Sequence, residues 1–310
     1  MNIRRATHDD REAVIEFTSE IWTDRGGDYI PEIYDEWIED DTEYGKKTFL
    51  AEIDGNAAGI VQAVMLTPDE AWFQGIRVAP DYRRRGVSQR LIEACFEWAR
   101  DRGATTGRVM IFSWNTASLG SARAGGFEPV SEFRFVHPDP DHRAEIPASW
   151  TVSNDPAAAW RYWTHCDARE QLCGLGLAPE ESWAIRELTR EDFHAFADET
   201  AVFAVEGDDG LAGAAYRTRT GERSIIEDET NDDEATEAYA EYGLAAWDDD
   251  TAARALFAAI ARDAASLEVD RTRVLVPERA RYVTDAAAVG AEIADEPDFV
   301  LAADLTRSVP

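Results

Sequence analysis

Residues 75–103, GIRVAPDYRRRGVSQRLIEACFEWARDRG, constrain the fold more than any other stretch. Ile76 and Val78 alternate at period two, and Pro80, which has no N–H for a sheet ladder, ends the strand. From Val87 onward apolar residues recur at Leu91, Cys95, Phe96 and Ala99, the spacing of one helix face. Between strand and helix lies Arg83-Arg84-Arg85-Gly86-Val87-Ser88. Three guanidinium groups therefore flank a run of backbone N–H groups at a helix start, a natural place for an anion. The setting sharpens the point. The chain has 62 Asp and Glu against 31 Lys and Arg, a formal net charge of -31.

Acid pervades segments that read as folded, and Lys46 and Lys47 are the only lysines. That composition looks like the surface of a haloarchaeal-like protein working in concentrated salt, where screening removes most self-repulsion, the alternative being an ordinary acidic soluble protein. It argues against a nucleic-acid partner, while a small anion in a local basic pocket stays compatible. No apolar run approaches the roughly 18 residues of a spanning helix, and the N-terminus opens on a charged strand, so no signal peptide is expected. A cytoplasmic protein with no membrane contact is expected. Cys95, Cys166 and Cys173 show no ligand spacing and no disulfide framework, and the five histidines show none either, so no metal site is expected.

The 310 residues suit two domains. In the first half the order is a short strand over residues 1–6, a helix capped by Asp9-Asp10 and carrying Ala13, Val14, Phe17, Ile21 and Trp22, and a second helix over 31–38. A hairpin follows, turning at Asp54-Gly55-Asn56, then the strand over 71–78, the loop and the long helix. A strand over 108–112, a small-residue helix over 115–124 stopped by Gly125-Gly126, and a last strand over 132–137 complete the half. This is an α+β arrangement with a mixed, mainly antiparallel sheet.

These residues resemble the GCN5-related N-acetyltransferase (GNAT) superfamily. The family's pyrophosphate loop, Gln/Arg-x-x-Gly-x-Gly/Ala, is matched by Arg83, Gly86 and Ser88, with Ser in place of Gly or Ala. A second signature, Asn-x-x-Ala/Ser-x-x-x-Tyr-x-x-x-Gly-Phe, is matched by Asn115, Ser118, Gly126 and Phe127, with Ala122 where tyrosine is usual. The resemblance covers residues 1–138. It implies an acyl-CoA N-acyltransferase fold, acetyl-CoA as cosubstrate, and direct attack of a small-molecule or peptide amine on the thioester. It further implies that Ile76, Val78, Arg83, Arg84, Arg85, Gly86, Val87, Ser88 and Asn115 hold the cofactor. Ala122 cannot donate the proton expected of the tyrosine, which leaves that step to another group or water, or leaves the domain with weak or no transferase activity; Glu70, Asp69 and Glu52, near strand ends that could face the cleft, are the candidate bases. Trp22, Tyr29, Tyr34 and Trp37 fall in the region that shapes the acceptor pocket.

The second half repeats the order. Residues 138–155 form a breaker-rich junction, and a single helix over 157–175 is expected to bridge the halves. Ala184-Ile185-Arg186-Glu187-Leu188-Thr189 echoes Asn2-Ile3-Arg4-Arg5-Ala6-Thr7, and Arg273–Val276 echoes Arg108–Ile111. At the place of the loop, however, stands Trp247-Asp248-Asp249-Asp250-Thr251, which repels a pyrophosphate. The expected organisation is a cofactor-binding domain over 1–140, a linker over 141–182 and a degenerate GNAT-like domain over 183–310, monomer or homodimer.

Overall fold

The computed structural model describes residues 1–19, 21–22, 27–39, 45–226 and 234–307. The chain divides into two compact units. One comprises Met1–Pro129, Glu180–Ala184 and Val300–Pro310, and the other Val130–Pro179 and Ile185–Phe299.

The first unit runs β1 (Asn2–Arg5), a 3-10 turn (His8–Asp10), α1 (Arg11–Thr18), α2 (Ile30–Ile38), β2 (Lys46–Ile53), β3 (Asn56–Met65) and β4 (Glu70–Val78). A second 3-10 turn (Pro80–Tyr82), α3 (Val87–Arg100), β5 (Thr106–Phe112) and α4 (Thr116–Ala124) follow. β1 to β4 pair antiparallel in order, and β5 lies parallel to β4 after the α3 crossover. Asp54 and Gly55 both take positive φ, 53° and 84°, as a two-residue hairpin turn with right-handed strand twist requires.

Apolar spacing puts Val87, Leu91, Ile92, Cys95, Phe96, Trp98 and Ala99 of α3 in the core, where Phe96 meets Phe73 and Phe127. The opposite sheet face is covered by Val14, Phe17, Ile30, Tyr34 and Trp37 on Leu50 and Ile60. The first helix is shorter than its apolar pattern suggests. It stops at Thr18, so Ile21 and Trp22 lie beyond it, with Trp22 at φ 57°.

Two details of β4 shape the site. It pairs with β5 only through Glu70–Trp72 against Thr106–Arg108. Beyond this the strands part, and among the described residues 73–78 and 109–112 do not pair across the gap. The β3–β4 register also shifts between Ile60 and Gln62. Opposite that shift Gly75 has φ 60°, and a Cβ there would lie 2.0 Å from the Trp37 ring, so this bulge requires glycine on both counts.

The second unit contains most of β6 (Glu128–His137), β7 (Thr151–Ser153), α5 (Pro156–Trp163), α6 (Asp167–Gln171), β8 (Leu175–Leu177), β9 (Ile185–Glu187), α7 (Arg190–Glu199) and β10 (Ala201–Gly207). It continues with β11 (Gly210–Ile226), β12 (Glu234–Trp247), α8 (Asp250–Ser266), β13 (Arg271–Pro277), α9 (Ala280–Ala288), β14 (Glu292–Ile293) and the start of β15 (Asp298–Asp304). β10, β11 and β12 are antiparallel, and β12 is parallel to β13 across α8.

Two expectations change. Residues 132–137 do not close the first unit; they pair antiparallel with β13 of the second. Within the first unit the strand beside β5 is instead the end of β15. There Leu305 N donates to Thr105 O at 2.8 Å, and Arg100 donates to Leu305 O and Arg307 O at 2.7 and 2.8 Å. Alternation identifies a strand but not its neighbour, which depends on edges far away in sequence. The helix over 157–175 is two helices, because Cys166 takes an extended backbone at ψ 155°. α5 packs on α7, β10 and β11, all of its own unit.

Candidate cofactor and acceptor site

The loop between β4 and α3 has the geometry of an anion cradle. Arg83, Arg84, Arg85 and Gly86 are exposed. Arg84 and Gly86 take positive φ, 61° and 78°, turning the backbone sharply into the helix. Gly86 is the N-cap of α3, and among the described residues no side chain accepts from the first-turn N–H groups. A Cβ at Gly86 would meet nothing within 4 Å, so the loop is open on that side. Arg83 Nε reaches back to Val78 O at 3.3 Å, and the Arg85 guanidinium lies 5.3 Å from the Tyr82 ring centre. Val87 is buried and anchors the helix start. Ser88, the departure from the family pattern, accepts a hydrogen bond from Ser121 Oγ of α4 at 3.0 Å, so its hydroxyl ties the two helices together. The donor set fits a pyrophosphate: oriented amides, a helix dipole and three guanidiniums.

Ile76 and Val78 are half-buried on β4, bordering the gap to β5. Asn115 caps α4, its Oδ1 accepting Ser118 N–H at 3.1 Å. The start of α8 in the second unit is filled from within. Asp249 Oδ1 accepts the N–H groups of Thr251 and Ala252 at 3.0 and 2.9 Å and the Thr251 hydroxyl at 2.7 Å. The Thr251 hydroxyl and the helix amides hold the Asp249 carboxyl below the usual range. Asp248 accepts from Tyr162 at 2.9 Å.

The three candidate carboxylates are not gathered at the loop. Glu70 opens β4, and Val78 closes it, about 26 Å away at the usual strand rise. Glu70 forms a mostly buried ion pair with Arg108 at 2.5 Å. Asp69 is exposed and accepts from Thr67 Oγ1 at 2.9 Å. Glu52 pairs with Arg4 at 3.0 Å. Ala122 is buried.

The sequence reading missed most of an aromatic wall. Phe112, at the end of β5, stacks on Trp114 with centroids 5.4 Å apart and planes 8° apart. Trp22 stands edge-on to both, at 6.1 and 5.4 Å, and Trp183 meets Phe112 edge-on at 6.2 Å. On the β4 side the Arg77 guanidinium lies 4.0 Å from the Trp22 ring centre. Arg77 is held by both oxygens of Asp28, at 2.6 and 3.1 Å, and the Asp28 side chain is fully buried. The Trp-Asn pair before α4 and the isolated Trp183 were the available signals, but their meeting depends on tertiary folding. Of the four early aromatics, Trp22 joins this wall. Tyr29 lies edge-on to Trp37 at 6.1 Å, while Tyr34 and Trp37 are core residues.

Beside the bulge a buried polar chain fixes β4. Trp72 Nε1 donates to Gln74 Oε1 at 3.0 Å, Gln74 Nε2 to Gln62 Oε1 at 2.8 Å, and Gln62 Nε2 to Trp37 O and Thr48 Oγ1, both at 3.0 Å.

Comparison with known proteins agrees with this geometry. Residues 11–127 match the model of the acetyltransferase (GNAT) family. An aminoglycoside N(6')-acetyltransferase type 1 of Klebsiella aerogenes is 38% identical over 64 residues, a match spanning 21% of this chain and 42% of that protein. The crystal structure of a GCN5-related N-acetyltransferase from Sphaerobacter thermophilus superposes with a TM-score of 0.61 at 14% identity, covering 99% of this chain and 96% of the other. A tandem GNAT protein from the clavulanic acid biosynthesis pathway gives 0.54 at 15% identity, covering 99% of each chain. The chain has the fold of the GNAT-superfamily acetyltransferases, and the span from α1 to the end of the second signature matches that family's sequence model.

Proposed function

We propose that this protein is an acetyl-CoA-dependent N-acetyltransferase acting on a primary amine, with its cofactor in the first unit. The observation that carries the reading is the α3 N-terminus, uncapped by any side chain among the described residues and flanked by three exposed arginines, beside the place where β4 and β5 part. Arg83, Arg84, Arg85 and the amides of Val87 and Ser88 bind the pyrophosphate, with Gly86 allowing close approach. Ile76 and Val78 offer strand-edge backbone to the cofactor arm, and the end of α4 at Asn115 borders it. Acetyl-CoA supplies the activated thioester: the amine nitrogen forms the new C–N bond as the C–S bond breaks. A backbone N–H near Val78 polarises the carbonyl. Alanine at 122 leaves the departing thiolate without a tyrosine acid, and thiolates leave without one. Glu70, Asp69 and Glu52 are engaged elsewhere, so solvent is the favoured proton acceptor.

The second unit reads as a tandem, degenerate copy. Its support is a repeated motif. Arg4 clasps Asp10 bidentately at 2.7 Å, with Thr7 N–H on the same carboxylate, before α1. Arg186, Thr189 and Asp192 repeat this at the same spacing across the start of α7, at 2.9, 2.8 and 2.7 Å. With Asp249 seated on the α8 amides, this copy has no vacancy for a pyrophosphate.

Acetyl-CoA thioester cleavage in molar KCl, followed by thiol release against a broad amine panel, tests the reading. Amine-dependent release that falls at least about tenfold when Arg83 and Arg84 are both alanine supports it. Saturable acetyl-CoA binding without release for any amine would favour a cofactor-binding protein without transferase activity, the alternative to which buried Ala122 points.

A further inference from the structure

In a chain with 62 acidic against 31 basic side chains, Arg143 and Arg262 of the second unit lack acidic partners. Both are exposed, and neither side chain has a hydrogen bond or ion pair among the described residues. Together with His142, Glu145, Ile146 and Pro147 they line an open hollow of about 680 Å³. That volume suits a small organic molecule rather than a single ion. The loop that forms the hollow is held at both ends. Pro138 O accepts from Thr272 Oγ1 of β13 at 2.5 Å, and Asp141 N donates to Ala261 O of α8 at 3.0 Å. Pro147 O accepts Trp150 N–H at 2.9 Å, and Trp150 packs on Gly207, where a Cβ would come within 2.8 Å of its ring. The backbone N–H groups of His142, Glu145 and Ile146 find no acceptor among the described residues. The hollow is therefore prearranged and rich in donors. His142, Arg143, Glu145 and Arg262 are all exposed, so core packing requires none of them.

We propose that this hollow binds a small α-amino dicarboxylate, a molecule with two carboxylates and one ammonium. Arg143 and Arg262 come from a loop and a helix, and each takes one carboxylate through the paired N–H···O contact that a guanidinium favours. Glu145 takes the ammonium. The neighbouring carboxylates are already engaged, Asp141 with Arg143 N–H at 2.8 Å and Asp263 with Arg217 at 3.0 Å. Glu145 decides against two simpler anions. It repels a phosphate, whose charge is concentrated, and a plain dicarboxylate leaves it unpaired. Charge alone carries little, because concentrated salt shortens its reach to about 3 Å. Recognition therefore rests on contacts made group by group. Ile146 and Pro147, both half-buried, give the ligand's methylene groups an apolar floor. The site lies wholly within the second unit and does not depend on the transferase reading.

The test is titration of the intact protein in molar KCl with L-glutamate, with glutarate, which lacks the ammonium, and with inorganic phosphate, read by ligand-observed magnetic resonance. L-Glutamate should bind saturably and about fivefold tighter than glutarate. Replacing both Arg143 and Arg262 by alanine should weaken it by about tenfold. Glu145→Gln should bring L-glutamate and glutarate to within about twofold of each other. Acetyl-CoA affinity should stay within about twofold in these variants, a check that the fold is intact. The proposal is overturned by no saturable L-glutamate binding, or by glutarate or phosphate binding as tightly. Undiminished affinity without Arg143 and Arg262, or an ammonium preference unchanged in Glu145→Gln, overturns it equally.

Discussion

Gly86 illustrates how one residue sets both backbone and function. Its φ of 78° is the left-handed region, yet a Cβ would meet no atom within 4 Å. Gly86→Ala should therefore cost only about 1 kcal/mol of stability, from backbone strain alone. Acetyl-CoA affinity should fall more than stability does, because the methyl intrudes on the space before the amides; chemical denaturation and calorimetry separate the two. Asp298 gives a pH prediction. Burial pushes its carboxyl up to about 7, against the pull of Arg273 and Arg134. The unfolded carboxyl titrates near about 3.9. Between these values the folded state holds the extra proton, so this residue makes stability fall as pH rises from about 4 to about 7. Between pH 5 and 8 the wild type should lose about 2 kcal/mol more than Asp298→Asn, measured by urea unfolding at each pH. Parallel curves would refute it. At this scale the loop glycine, the serine departure and Ala122 were legible in the sequence because a local motif carries them. The Trp22–Arg77–Asp28 contact was not, because it joins residues 49 apart through an ion pair and a left-handed tryptophan that no periodicity announces.

Elements were legible where period and capping agree. α3 begins at Val87, and the hairpin turns at Asp54 and Gly55 as their residue types dictate. Strand partners were not. The last strand of the chain carries the same alternation whichever β-edge it joins, and only the folded sheet places it beside β5. Arg100 makes that placement testable. Its side chain holds Leu305 O and Arg307 O, and β5 is one lip of the gap at which the cofactor arm is proposed to bind. Arg100→Ala should cost about 2 kcal/mol, since two charge-assisted hydrogen bonds are lost, and should weaken acetyl-CoA binding by loosening β5. Unchanged stability would make the last strand peripheral to the first unit. The helix-start motif makes a second element-scale prediction. Asp192 lies against Arg186, whose side chain is 5% exposed. Asp192→Asn should cost about 1–2 kcal/mol by weakening the charge-assisted hydrogen bonds from Arg186, a loss visible in thermal unfolding.

For the whole molecule, charge and cofactor location matter together. A formal charge of -31 means that dilute buffer leaves large self-repulsion. The salt-adapted reading predicts a melting temperature that rises steeply between about 0.1 and 1 M KCl, where the screening length shrinks from about 10 to 3 Å. A flat profile would reduce the composition to an ordinary acidic surface. Against that background the arginines at residues 83–85 are an exception, and the aspartates at residues 248–250, at the start of α8, are not. Two copies of one plan would then have divided their labour at a single loop, one leaving its helix amides open and the other covering them with Asp249. Titration of the intact chain with acetyl-CoA in molar KCl tests this most directly. The account predicts one site per chain, with affinity weakened by about tenfold to a hundredfold when Arg83 and Arg84 are both alanine and unchanged in Asp249→Ala. No saturable binding, two equivalent sites, or an undiminished affinity in the double arginine variant would contradict it.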